Sequence, residues 1–199
     1  MMPVENYLNK WNKIPADVKS FITRALAILI VWKVIYLVSL FPGRVLDKPL
    51  SYVVAGGTAW TLNLTHSGTY FIKNEKGMVN TDTGPAMVPV YNVYFHNRSV
   101  VSIEDPCNGL ELIVLYIGFI MAMPATLRRK IMFIIAGSVA IYIVNVLRCA
   151  GVAYALLYYP NQADFAHHYL FTFVVYGLII ALWLIFSRKL NLSHDQTNR

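Results

Sequence analysis

A single charge, Arg148, interrupts the apolar run from Ile131 to Tyr159, and no other feature of this chain narrows its folding options as sharply. A helix needs about 20 residues to cross the ~30 Å hydrocarbon core of a bilayer, and this run exceeds that length. Three further runs accompany it: Ala25 to Phe41, closed by Pro42-Gly43; Leu110 to Met123, closed by Pro124; and Tyr169 to Phe186, followed by Arg188. The Leu110 run reaches spanning length only if its helix extends through Asn108 or Ala125. With 57% hydrophobic residues, 14% charged ones and a mean hydropathy of +0.50, the composition points away from a soluble domain and towards a membrane.

The net charge of +7 does not point to nucleic acid, because the basic residues are not interleaved with stacking aromatics on a polar surface. They stand at the ends of apolar runs. Lys10, Lys13, Lys19 and Arg24 precede the first run, Arg128, Arg129 and Lys130 separate the second from the third, and Arg188, Lys189 and Arg199 follow the fourth. With four spans these ten of the seventeen Lys/Arg residues share one side, which the positive-inside rule makes the cytoplasm. The expected fold is therefore an all-α polytopic membrane protein with about four transmembrane helices. The expected divisions are a cytoplasmic N-terminus (1–24), an uncleaved first transmembrane helix (25–41), an extracytoplasmic segment (42–106), site-bearing transmembrane helices 2–4 (107–187) and a cytoplasmic tail (188–199). A bacterial inner membrane with the site on the outer side fits this arrangement.

The segment before Cys107 is electrically balanced, with Arg44, Lys48, Lys73, Lys76 and Arg98 against Asp47, Glu75, Asp82, Glu104 and Asp105. Turn punctuation at Gly56-Gly57, Gly68, Gly77 and Thr83-Gly84-Pro85 predicts a small β-containing cap, with strands near Thr69–Ile72 and Val88–Phe95. Pro89 argues that the second is an edge strand. Tyr52–Leu64, short and rich in hydroxyls, reads as interfacial or re-entrant.

Cys107 lies in Asp105-Pro106-Cys107-Asn108-Gly109-Leu110, where a polar loop meets the second span. Unpaired first-turn N–H groups would favour a thiolate there, although an isolated membrane cysteine is also an ordinary small core residue. Arg148 costs at least ~2.5 kcal/mol inside a span unless it has a partner or water, and Asn145 shares its helix face three residues earlier. Snorkelling to the interface is the bland alternative. His167 and His168 begin the fourth span on the same side. A thiol, a guanidinium and an imidazole at one depth are the parts of a cysteine acyl-transfer site. Glu111, one turn after Cys107, would pair with Arg148, orient the histidine, or simply be protonated. Lys33 reads as a snorkelling side chain. Cys149 points about 100° away from Arg148 around the helix, which disfavours a Cys107–Cys149 disulfide. No metal-ligand cluster and no nucleotide or cofactor fingerprint is visible.

Cys107-Asn108-Gly109 at a helix start, Asn145-Val146-Leu147-Arg148 in the next helix and a later histidine resemble the exosortase/archaeosortase family of membrane-embedded cysteine transpeptidases. The likeness covers about Asp105 to Trp183. It is similar to the short, exosortase F-like branch of Bacteroidetes, with asparagine replacing the commoner serine after the cysteine. The resemblance implies Cys107, Arg148 and His168 as catalytic residues, since Thr172 supplies the small residue four positions after His168. His167, Asn145 and Glu111 are supporting or alternative residues. It also implies exported proteins with a C-terminal sorting signal as partners, in contact with membrane lipid, with no cofactor, metal or nucleic acid. The rival class is a noncatalytic membrane assembly or transport subunit in which Arg148 and Glu111 form an intramembrane ion pair.

Overall fold

The computed structural model describes residues 15–65, 70–81, 84–95, 98–160 and 171–197. Helix α1 (Ala16–Ile35) continues through a wider π turn, Tyr36–Leu40. This stretch and α4 (Leu127–Tyr158) are the two helices, among the described residues, long and apolar enough to cross a membrane. Shorter apolar helices are α3 (Leu110–Ala122) and the Phe173–Arg188 part of α5 (Phe171–Thr197). Large apolar side chains along these helices point outward, with Ile30 62%, Val38 73%, Ile135 61% and Phe173 79% exposed. A surface this apolar is suited to lipid, not to water.

Helix α3 has 13 residues and a length of about 20 Å. The extension through Asn108 or Ala125 that spanning length would require does not occur. Gly109, in the left-handed region at φ 83°, ends it on one side, and Met123, extended ahead of Pro124, ends it on the other. Its core partners come from α4 and α5: Tyr116, Ile120, Ile141, Ile179 and Phe186 form one buried cluster. Tyr116 donates to the Phe133 carbonyl at 2.8 Å, which presses its ring against Gly137 of α4. A Cβ at position 137 would lie 2.3 Å from that ring. Gly137→Ala should therefore lower stability by about 1–3 kcal/mol or more, read as a lower unfolding midpoint in detergent. An unchanged midpoint would mean that α3 and α4 do not cross there.

Tyr52–Leu64, read as interfacial or re-entrant, is part of helix α2 (Asp47–Thr65), a regular 19-residue helix. It buries Val54, Ala55, Ala59 and Leu62 against the second half of α4 and a β-sheet. Its glycine pair is not a turn. Gly57 lets α2 approach α4, since a Cβ there would meet the Tyr142 hydroxyl at 2.9 Å and Val146 at 3.1 Å. Its hydroxyls also stay inside the helix, Thr58 and Thr61 each donating to the carbonyl four residues back at 2.8 Å.

The sheet has three antiparallel strands in the order β1 (Tyr70–Thr81), β2 (Gly84–Phe95), β3 (Arg98–Ile103). Strand β2 is central, not the edge that Pro89 suggested. Strand β3 pairs only with Tyr91–Phe95, so at Pro89 the strand has a neighbour on the β1 side alone and a missing N–H there breaks no bond to β3. Gly77 lies opposite Val88 within the β1–β2 ladder instead of in a turn. Asn63 ties the end of α2 to the sheet, its side chain donating to the Tyr70 carbonyl and accepting the Tyr70 N–H.

Candidate active site at the Cys107 turn

Asp105-Pro106-Cys107 forms one 3-10 turn, with Pro106 in its opening position, where a missing N–H goes unused. The Cys107 N–H reaches the Glu104 carbonyl at 2.9 Å. Gly109 then turns the chain into α3 with a positive φ that a residue with a side chain rarely adopts. A second constraint acts there, because a Cβ on Gly109 would stand 3.2 Å from Asn145 Nδ2.

Asn145 is fully buried and bridges the two halves of the site. Its Nδ2 donates to the Cys107 carbonyl at 2.9 Å, and its Oδ1 accepts from Arg148 Nη1 at 3.3 Å. The Arg148 guanidinium stands close enough to Cys107 to act on its thiol, and its buried Nε has no hydrogen-bond partner among the described residues. Cys107 stands in the turn ahead of the apolar helices, and burial pushes its thiol up. The Arg148 guanidinium opposes that shift and Glu104 adds to it. The expected source of thiolate stabilisation, free N–H groups at a helix start, is therefore replaced. Helix α3 begins only at Leu110, whose N–H is taken by Asn108 Oδ1 at 2.8 Å, so the charge at the sulfur comes from Arg148.

A cavity of about 570 Å³ opens beside this group, between α1, α3 and α5. Leu26, Leu29, Leu115 and Val175 line its apolar part, and Lys33, Glu111 and Arg148 its polar part.

The cysteine turn and the Asn-x-x-Arg helix are thus joined in space through Asn145, and most of the chain matches one family: residues 17–187 match the family model described as transmembrane exosortase. The chain belongs to the transmembrane exosortase family. No curated protein and no solved structure matches it. As an exosortase it is a membrane-embedded protein of a sorting and processing family, one known as cysteine transpeptidase-like.

Two sequence expectations for this exosortase need correction. Glu111 does not pair with Arg148; it accepts from Lys33 Nζ at 3.0 Å. The reason is the Gly109 break: Cys107 is outside α3, so a spacing of four residues no longer places Glu111 on a shared helix face. Lys33 is accordingly an ion-pair partner instead of a lone snorkelling cation, as intramembrane charges commonly are. With this pairing the arrangement required by the transport-subunit reading is not formed. Both cysteines are free thiols, and Cys149 is buried among Val54, Ala55, Tyr91, Ile103 and Val146. His167 and His168 lie outside the described residues.

Sequence reasoning missed a polar network behind the turn. Tyr36 donates to Asp47 Oδ2 at 2.8 Å, and Asn108 Nδ2 donates to Asp47 Oδ1 at 3.0 Å and to Ser51 Oγ at 3.3 Å. Arg44 holds Asp105 through two bonds of 2.7 and 2.5 Å, and Ser51 adds a third at 3.1 Å. Asp47 and Ser51, four residues apart and so on one face of α2, were the available signal.

Proposed function

We propose that this exosortase is a cysteine peptidase or transpeptidase that cleaves exported proteins near a C-terminal sorting signal. The observation that carries the reading is the Arg148 guanidinium beside Cys107, held by Asn145 and with a buried donor, Nε, that has no hydrogen-bond partner among the described residues. Buried polar groups seldom go without partners, and a spare donor beside a nucleophile suits an oxygen that becomes negative only during reaction. In this reading His168 takes the Cys107 thiol proton, the resulting thiolate attacks the scissile carbonyl carbon, and Arg148 faces the negative charge that develops on the carbonyl oxygen. The C–N bond then breaks, and the departing amine takes a proton from His168. The thioester passes to water or to an amine acceptor, whose proton returns to His168, and the thiolate is restored.

Four spans follow if α3 and α5 cross together with α1 and α4. Arg148 lies 21 residues from the start of α4, or about 31 Å, and Lys33 lies about 26 Å from the start of α1. Both then reach the outer face when the Arg128-Arg129-Lys130 end is cytoplasmic. The rest of α4, with α2 and the sheet, projects outside as a cap, and the cavity beside Arg148 accommodates the apolar stretch of the sorting signal. In a Cys149→Ala background, a membrane-impermeant maleimide should label Cys107 in intact cells. Reporter fusions at Asn80 and Lys189 should read export and cytoplasm respectively. Labelling only in permeabilised cells, with the Asn80 fusion reading cytoplasm, would put the site on the wrong side for exported substrates.

A further inference from the structure

We infer that Asp47 and Asn108 act as a positioning pair that aims the Cys107 sulfur, an inference that rests on Cys107 being the nucleophile. Asp105, two residues before the turn's cysteine, and Asn108, directly after it, are both tied to the start of α2 or to the residues just ahead of it. Asp105 is gripped by Arg44 and Ser51, and Asn108 by Asp47 and Ser51. Asp47 and Asn108 are each 2% exposed and Ser51 is fully buried. A carboxyl group sealed this deeply is costly to retain for packing alone, because an apolar residue would fill the space without burying polar atoms. The Asp47 oxygens are not redundant either: one takes the Tyr36 hydroxyl of the α1 extension and the other takes Asn108.

Asn108 Oδ1 accepts the Leu110 N–H, so one side chain fixes both where the Cys107 turn ends and where α3 begins. From the opposite side Asn145 holds the Cys107 carbonyl. The backbone of the nucleophile is thereby clamped between α2 and α4, leaving its sulfur against Arg148. Neither Asp47 nor Asn108 lines the cavity, so their effect is on geometry.

The test uses the full-length enzyme carrying Cys149→Ala, in which Cys107 is the sole thiol. Asp47→Ala, Asn108→Ala and the double variant are compared for processing rate and for alkylation of Cys107 by N-ethylmaleimide. Each single variant should lower kcat by roughly 10- to 100-fold with KM little changed, as a displacement of about 1 Å would. The double variant should be no worse than about twofold beyond the poorer single one, since both act through one turn. Alkylation should change by at least about threefold in each. Multiplying losses, or unchanged alkylation and processing in both single variants, would overturn the inference. Should Asp47→Ala fail to reach the membrane, Tyr36→Phe removes only the hydroxyl facing Asp47 and should change both rates by a few-fold; no change in either would also overturn it. Processing that survives Cys107→Ala instead defeats the nucleophile reading, whatever the alkylation rates show.

Discussion

Cys107→Ala is expected to abolish substrate processing, with a loss of roughly 10⁴- to 10⁶-fold, while unprocessed substrate accumulates in the membrane. That is the range found when one member of a nucleophile and base unit is removed from a hydrolase. Cys149→Ala should keep processing within about twofold of the wild type, the modest cost of a smaller residue at a packed position. The contrast follows from where the two thiols sit. Cys107 meets the Arg148 guanidinium in a turn beside a cavity, whereas Cys149 faces Thr58 and the apolar surface of α2 and the sheet. Membrane abundance measured in parallel separates lost chemistry from lost protein. Equal loss in both variants at normal abundance would make the cysteines a functional pair and return a disulfide to consideration.

Arg148→Lys is expected to slow processing by about 10²- to 10³-fold without loss of membrane insertion. This is the usual cost of removing one oxyanion donor. The guanidinium presents its planar fork in several directions: Nη1 on Asn145, its charge beside Cys107, and an Nε without a hydrogen-bond partner among the described residues. An ammonium is a compact point charge and does not cover those directions together. A cation that only marked the outer interface would tolerate lysine, since either side chain reaches water. The pH dependence adds a sign. Burial raises the Cys107 thiol and Arg148 opposes that rise, so alkylation of Cys107 should accelerate as pH increases. Arg148→Ala should move the profile to still higher pH. Near-normal turnover in the lysine variant, with an unmoved alkylation profile, would leave Arg148 as a topological charge.

What the sequence revealed and what it concealed differ for physical reasons. Apolar length identified α1 and α4, and the interruption of one of those runs by Asn145 and Arg148 pointed to the polar side of the site. Those signals are local, because a charge in an apolar run is costly wherever the fold places it. Helix α2 was hidden because its glycine pair and its hydroxyls carry the signature of a turn. Only the approach of Tyr142 and Val146 on α4 shows why Gly57 belongs in a helix. Strand β3 and the central place of β2 depend on pairing partners, which local alternation does not specify. The Lys33–Glu111 pair joins residues 78 apart, and Arg44 and Asp105 are 61 apart. Spacing rules for a single helix face do not reach such distances. They also mislead where a helix is broken, as Gly109 breaks the link from Cys107 to Glu111.

A thioacyl link on Cys107 is the central claim, and rapid acid quenching during a single turnover tests it most directly. Purified enzyme in excess over a substrate bearing its sorting signal would be quenched at intervals, digested, and the Cys107 peptide weighed by mass spectrometry. The expected result is a transient mass increase on Cys107 equal to the acyl fragment of the substrate, removed by hydroxylamine and absent from Cys107→Ala. Its decay should match the appearance of hydrolysed or transferred product. Substrate cleaved at the normal rate while the Cys107 thiol stays unmodified at every interval would contradict the account.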